Sequence, residues 1–311
     1  MKKLLLIMML ALASLFLFSC EKEENNKYKI VTSIFPQYDF VKVITEGSDN
    51  FDLILLQEKG SDLHSFQPTV KDMVNIKSAD LFIYVGGESD KWVKDALKDV
   101  SNKNQIDISL MDIVEVKEEE EKEGMEEEHE EEHEEVEYDE HVWLSLNNAS
   151  IIVKKISDAI IQIDPENETL YRANTSRYLM ELKALDMLYQ EAVTLASKKV
   201  IVVGDRFPFR YLVDDYGIDY YAAFKGCSAE VEASFETVIF LSKKVDELGL
   251  SAIIKLENND GRIANQIKQN TKNKDQQILV LDSMQSQTLK DYRSYLEIMQ
   301  SNLEVLKQAL N

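Results

Sequence analysis

Histidine is the residue type in this chain that the sequence first suggests as a ligand of a transition metal. The chain has four histidines and two cysteines among 311 residues. His64 lies in a loop after a predicted strand, and His141 lies where a very acidic stretch returns to an apolar pattern. Loops at strand ends commonly present ligand groups, and neutral imidazole binds zinc and related metals. Both histidines are therefore candidate ligands, although a lone loop histidine is more often a solvated surface residue.

The other two histidines form a weaker pattern. His129 and His133 form the sequence His-Glu-Glu-Glu-His, which satisfies the zinc-protease pattern of two histidines one helical turn apart with an adjacent glutamate. That pattern needs a helix with a buried apolar face, but its surroundings here are almost entirely glutamate. We therefore expect no protease and no other enzyme, and assign this segment at most a low-affinity collection of cations.

The charge of the chain restricts its partners. It carries 57 acidic against 35 basic residues, a formal net charge of -22. This excess repels phosphate backbones, so we expect no nucleic-acid partner. Seventeen acids and two lysines lie in the loop at 115–140. A block of this kind predicts a solvated, mobile insertion, and we expect deletion of 117–137 to leave metal affinity mostly intact.

The start of the sequence predicts export. A basic start precedes an apolar run that ends at Phe18, too short for a stable membrane span, so residues 1–19 are a predicted signal peptide. The next residues, Ser19-Cys20, complete a motif that resembles the lipobox of bacterial lipoproteins, whose cysteine is lipidated. Residues 20–27 would then be a lipid-anchored tether at the outer face of the cell membrane or in the periplasm. An ordinary signal peptide that ends near a chance cysteine is the alternative.

Apolar runs of strand length alternate with amphipathic runs of helix length. This alternation predicts an α/β fold with two domains, each built on a mainly parallel four-stranded sheet. The predicted strands are 28–35, 51–56, 81–85, 106–110, 200–203, 220–224, 252–256 and 277–281. The predicted helices are 36–45, 69–78, 91–100, 207–216, 234–248, 262–270 and 294–310.

One long helix is predicted between the domains. Residues 166–197 contain no Gly or Pro, and their apolar residues recur at intervals of three and four. Such a helix would extend roughly 45 Å and limit hinge motion. The N-terminal domain is 28–165, which includes the acidic loop, and the C-terminal domain is 198–311. We expect the ligand in the cleft between them, where the carboxyl ends of the strands meet.

Four segments of the chain form a recognisable set. They are Gly60–Pro68, Ala79–Gly87 followed by Trp92, His141–Leu144 and Tyr295–Asn302. With the acidic loop, they resemble the metal-binding solute-binding lipoproteins of zinc and manganese ABC transporters. The resemblance implies that His64 and His141 bind metal between two α/β domains. It also implies a monomer that captures zinc or manganese and delivers it to a membrane permease driven by a cytoplasmic ATPase.

The resemblance leaves the remaining ligands open. Many members place a histidine or glutamate after the first strand of the second domain, where this chain has Asp205-Arg206. Arginine cannot bind a cation, so Asp205 is the candidate, with a helix cap or a salt bridge to Arg206 as its alternative roles. Asp282 matches an aspartate of manganese-type members. Further candidates are Glu230, Cys227 and Glu257, although the lone thiol of Cys227 is more often a small buried side chain than a reactive one. This set does not choose between zinc and manganese.

Capture and delivery of a divalent metal is the first functional hypothesis. The chain contains no glycine-rich phosphate-binding loop, so the ATPase must be another subunit. The alternative is a surface adhesion or interaction lipoprotein with a degenerate metal site, suggested by the missing third histidine.

Overall fold

The structure is a computed structural model that describes residues 27–58, 62–125, 136–228 and 232–311. Within these ranges the strands are β1 Tyr28–Thr32, β2 Phe51–Leu55, β3 Leu81–Tyr84, β4 Ile106–Ser109, β5 Val200–Arg206, β6 Asp219–Phe224, β7 Ala252–Leu256 and β8 Gln277–Leu281. The helices are α1 Phe35–Ile44, α2 Val70–Lys77, α3 Val93–Ala96, α4 Leu146–Ile163, α5 Glu168–Leu195, α6 Arg210–Tyr216, α7 Phe235–Leu248, α8 Arg262–Asn270 and α9 Tyr295–Ala309. None of these helices is both long and apolar enough to cross a membrane.

The strands form two four-stranded parallel sheets, in the orders β2-β1-β3-β4 and β6-β5-β7-β8. In the first sheet, Val31 lies opposite Ile54 on one side and Phe82 on the other. The predicted fold class is confirmed by these two sheets and by the long helix α5. In the first sheet, β2 lies on one side of β1 and β3 lies on the other, and in the second sheet β6 and β7 flank β5 in the same way. The order in which strands are added therefore reverses at β1 and at β5. Such a reversal leaves a crevice at the carboxyl ends of the strands, which is a common place for a ligand site.

Helix α5 connects the two halves of the described chain. It has 28 residues, which corresponds to a length of about 42 Å. Near its middle, Tyr178 packs edge-on against Phe40 of α1. Further along, Tyr189 stacks on Tyr216 and donates a hydrogen bond to the carbonyl of Met299, at 2.6 Å. One helix thus contributes buried aromatic rings to both halves.

Helix α9 returns from the second half to the first. The backbone N–H of Tyr295 donates to Asp39 of α1, at 2.9 Å, and the Tyr295 hydroxyl donates to the carbonyl of Trp143, at 2.7 Å. The indole N–H of Trp143 in turn donates to the carbonyl of Ser283, at 2.9 Å. Residues from both sheets therefore belong to one continuous apolar core.

The described parts of the acidic loop, 115–125 and 136–140, are ordered, and we call them the acidic flanks. They pair with each other, since the N–H of Glu119 donates to Glu137 and the N–H of Asp139 donates to Lys117, each at 2.9 Å. They also pack on the second half, where Met125 is buried. The prediction of a solvated insertion is therefore wrong for Met125, Asp139 and Glu140, which are buried, whereas the other residues of the flanks are partly or fully exposed. The predicted signal peptide at 1–19, most of the tether and residues 126–135 lie outside the described residues.

Candidate metal centre

Two loops at the carboxyl ends of the first sheet bring His64 and His141 together. His64 lies in a short 3₁₀ turn, Leu63–Ser65, that follows β2 in the chain. Asp62 caps this turn by accepting a hydrogen bond from the His64 N–H, at 3.0 Å. His141 directly precedes another 3₁₀ turn, Val142–Leu144, whose side chains are fully buried. Both histidine backbones are thus fixed by local structure.

The two imidazole rings present their Nε2 atoms to each other. The Nε2 atoms are 3.3 Å apart, and the rings are edge to face with centroids 5.3 Å apart. Two nitrogen ligands at about 2.05 Å from a tetrahedral zinc ion would be separated by about 3.3 Å. The pair is therefore arranged to share one metal ion.

The opposite nitrogens of the rings are held by hydrogen bonds. Asp139 Oδ1 accepts from the His141 backbone N–H, at 2.8 Å, and lies 3.0 Å from the ring Nδ1. The His64 Nδ1 lies 2.8 Å from the Ser89 hydroxyl and 3.6 Å from Glu140 Oε2. Partners on Nδ1 fix the ring orientation and leave Nε2 as the ligand atom. Sequence reasoning did not identify Asp139 or Glu140, although the carboxylates beside His141 were a visible signal.

A glycine makes room for the Glu140 carboxylate. Glu140 is 1 % exposed, and its Oε1 accepts from the Ser89 N–H, at 2.9 Å. Gly87 has a φ of +75°, and a Cβ atom there would lie 2.4 Å from Glu140 Oε1. A larger residue at position 87 would therefore be strained and would displace the carboxylate that faces His64.

The two histidines have opposite proton affinities. Burial lowers the pKa of His64 to about 3, and the neighbouring His141 adds to this effect. Burial alone would also lower the pKa of His141, but the surrounding carboxylates, with Asp139 foremost, outweigh it and raise the pKa above 6.5. A proton that enters the pair therefore resides on His141. Metal and proton compete for this ring.

Asp205 is buried at the end of β5, as its sequence position suggested. Its two oxygens accept from the backbone N–H groups of Arg206, at 3.0 Å, and Leu256, at 3.1 Å. It neither caps a helix nor pairs with the Arg206 guanidinium, which instead contacts Asp62 at 2.7 Å. Burial raises the pKa of Asp205.

Asp282 follows β8 and is held by its own neighbours. Its carboxylate accepts from the Gln287 side-chain amide, at 2.8 and 3.0 Å, and from the Met284 N–H, at 2.9 Å. Glu257 accepts from both the N–H and the hydroxyl of Ser283, and burial together with Asp282 raises its pKa to about 7. With Asp205, Glu257 lines a cleft of about 310 Å³.

Among the described residues, the histidine pair is joined by Cys227. A ring nitrogen of His64, a ring nitrogen of His141 and the Cys227 Sγ all lie within 4.8 Å of one another. Neither Asp205 nor Asp282 enters such a group within the described ranges, so their assignment as third and fourth ligands stays a prediction. The remaining candidate, Glu230, lies outside the described residues.

Two parallel α/β sheets, a long connecting helix and a histidine pair at the strand ends define a metal-binding solute-binding protein. The chain belongs to the ZnuA family, described as zinc-uptake complex component A, periplasmic, whose model matches residues 30–309. The chain is 30% identical over 287 residues to the high-affinity zinc uptake system protein ZnuA of Bacillus subtilis, covering 92% of this chain and 89% of that protein.

Two further comparisons involve AdcA of Streptococcus pneumoniae. The chain is 30% identical over 313 residues to this zinc-binding lipoprotein, covering 99% of this chain and 61% of that protein. The structure of its Zn(II)-bound ZnuA-like domain superposes with a TM-score of 0.73 at 27% identity, covering 91% of this chain and 99% of that domain. The chain therefore spans about three-fifths of the length of the streptococcal relatives.

Proposed function

We propose that this protein captures a divalent transition metal outside the cytoplasm and delivers it to an ABC-type importer. The 3.3 Å separation of the two Nε2 atoms carries this proposal, because it matches the spacing of two ligands on one ion. The family is one of solute-binding transport components rather than enzymes. A membrane permease and a cytoplasmic ATPase would be separate subunits, and Cys20 would hold a monomeric binding protein at the membrane.

Zinc is the first choice of cargo, with manganese second. Paired imidazoles suit zinc, and the AdcA and ZnuA relatives are named for zinc. The buried carboxylates Asp205 and Asp282 would complete a site that also accommodates manganese if either reached the ion. The adhesion alternative stays a second hypothesis.

We expect His64→Ala and His141→Ala each to abolish tight zinc binding. Loss of one ring removes half of the preformed pair and leaves its partner without a second nitrogen. Calorimetric titration of the metal-free full chain with zinc measures this directly. His129→Ala with His133→Ala is the matched control, since these histidines lie in the acidic segment, and we expect its tight site to be unchanged.

Transport requires a second measurement in cells. Uptake of labelled zinc by cells that carry the importer should depend on the wild-type chain and fail with His141→Ala. Unchanged affinity in both single histidine variants would refute the cleft site. If the protein binds zinc tightly but zinc uptake by the cells does not depend on it, delivery to the importer would be refuted and metal capture would remain supported.

A further inference from the structure

We propose that Cys227 is the third protein ligand of the captured ion, so that the site has two imidazole nitrogens and one thiolate sulfur. This inference rests on the proposed function, because it concerns the same ion. Its first support is proximity: the Cys227 sulfur and the ligand nitrogens of His64 and His141 lie within 4.8 Å of one another. Sulfur and nitrogen ligands on a tetrahedral zinc ion would be about 3.6 Å apart, so a small inward movement of the loop completes the geometry.

The backbone beside Cys227 is packed against Phe207 and Asp139. A Cβ atom at Gly226 would lie 2.8 Å from the Phe207 carbonyl and 3.1 Å from Asp139 Oδ2. Asp139 is the carboxylate that orients His141. The absence of a side chain at position 226 therefore lets the loop at 226–228, which we call the cysteine loop, approach Asp139, the residue that holds His141.

Hydrogen bonds hold the cysteine loop to both neighbouring loops. The Cys227 N–H donates to Glu119 Oε1 of the acidic flanks, at 3.1 Å. Arg206 donates from one nitrogen to the Ser228 carbonyl, at 3.3 Å, and from another to Asp62, at 2.7 Å. Asp62 caps the His64 turn. Arg206, which cannot bind metal, thus ties the cysteine loop to the His64 loop.

The two carboxylates predicted from sequence are less well placed than the thiol. Both oxygens of Asp205 accept backbone hydrogen bonds at the ends of β5 and β7. Both oxygens of Asp282 accept from Gln287. Neither carboxylate belongs to the group of ligand atoms within 4.8 Å of one another, whereas the Cys227 sulfur does.

A thiolate ligand also predicts selectivity. On binding, the metal–sulfur bond replaces the S–H bond, and the proton passes to solvent. Thiolate is a soft ligand that favours zinc over manganese. The site would therefore retain zinc in the presence of manganese, which two histidines and two carboxylates would do less well.

Cobalt reports directly on sulfur ligation. The metal-free full chain would be titrated with Co²⁺, with near-ultraviolet absorption to detect thiolate-to-cobalt charge transfer and calorimetry to measure zinc and manganese affinities. We expect one equivalent of the charge-transfer band in the wild type and its loss in Cys227→Ser. The same variant should lose zinc affinity by more than about 100-fold, the upper limit for losing an outer partner. Manganese affinity should change little.

The chain offers a matched control for this experiment. Cys20→Ser removes the only other cysteine of the sequence and should leave the band and the affinity unchanged. Two results would overturn the sulfur ligand and leave the proposed function intact. One is tight, histidine-dependent binding without the charge-transfer band. The other is loss of tight zinc binding in Asp205→Asn but not in Cys227→Ser. Absence of any tight binding in the wild type would instead overturn the proposed function itself.

Discussion

His141 determines how the site responds to acid. Its pKa is raised because Asp139 and other nearby carboxylates outweigh the effect of burial, whereas His64, with a pKa of about 3, stays neutral in the same range. A raised pKa means that protons compete with metal already above pH 6.5. Zinc affinity should therefore be full at higher pH and be lost as the pH falls through the raised value. Titrations between about pH 5 and 8 would show this.

Asp139→Asn should change both the pH dependence of zinc binding and the orientation of the His141 ring. The substitution removes the charge that favours protonated His141, so the loss of binding should shift to lower pH. The substitution also weakens the hydrogen bond that orients the His141 ring. Zinc affinity should therefore fall about 10–100-fold at neutral pH. Asp164→Asn is the control, because Asp164 is also buried but accepts from Tyr171 and Asn50. An unchanged pH profile in Asp139→Asn would contradict the assigned role.

The sequence was informative for the residues that have local motifs and less so for those brought together by folding. His64 and His141 each lie in a short recognisable segment, and the structure places their nitrogens in contact. Cys227 had no local signal beyond its type, because its approach depends on Gly226 and on packing against Asp139. Such contacts arise from tertiary structure and have no counterpart in spacing along the chain.

At the scale of elements, the acidic flanks contact residues that support the candidate metal centre. Lys117 donates its N–H to the Tyr211 hydroxyl, which donates to the Asp139 carbonyl, and Glu119 accepts from Cys227. These contacts argue against the expectation that deletion of 117–137 leaves metal affinity mostly intact. That deletion removes Glu119, which accepts a hydrogen bond from Cys227. It also removes Lys117, whose carbonyl accepts from the Asp139 N–H.

We expect deletion of 126–135 alone to change the zinc affinity by no more than about twofold. Deletion of 117–137 should lower the zinc affinity by about tenfold or more. The physical reason is that only the longer deletion removes Glu119. Zinc titration of both variants, with thermal unfolding to verify folding, makes the comparison. Equal affinities in the two folded variants would show that the flanks do not support the site.

The predicted elements matched best where periodicity was strong. The long helix was predicted at 166–197 and is observed as Glu168–Leu195. No helix was predicted for Leu146–Ile163, whose many β-branched residues favour strands intrinsically, yet burial of one face against α5 stabilises it as a helix. The helix predicted at 91–100 is reduced to α3 and a 3₁₀ turn, Leu97–Asp99, because only Val93 and Ala96 are buried there.

At the scale of the whole molecule, the two halves should unfold together. They share one apolar core, and α5 and α9 each contact both halves. Calorimetry of the metal-free chain should show one transition. Asp39→Ala should lower its midpoint, at a cost of about 1–3 kcal/mol, because it leaves the Tyr295 N–H without its acceptor. Two resolved transitions would contradict a shared core.

The contact between α9 and Asp39 also constrains the order of folding. Tyr295 and Asp39 are 256 residues apart in sequence. Contacts of such separation form slowly, because the entropy of closing the intervening chain is lost before the contact stabilises anything. The first sheet can assemble early from nearby segments, but its side of the shared core is covered only when α9 arrives. Until then, we expect part of the apolar surface of the first half to stay exposed to solvent.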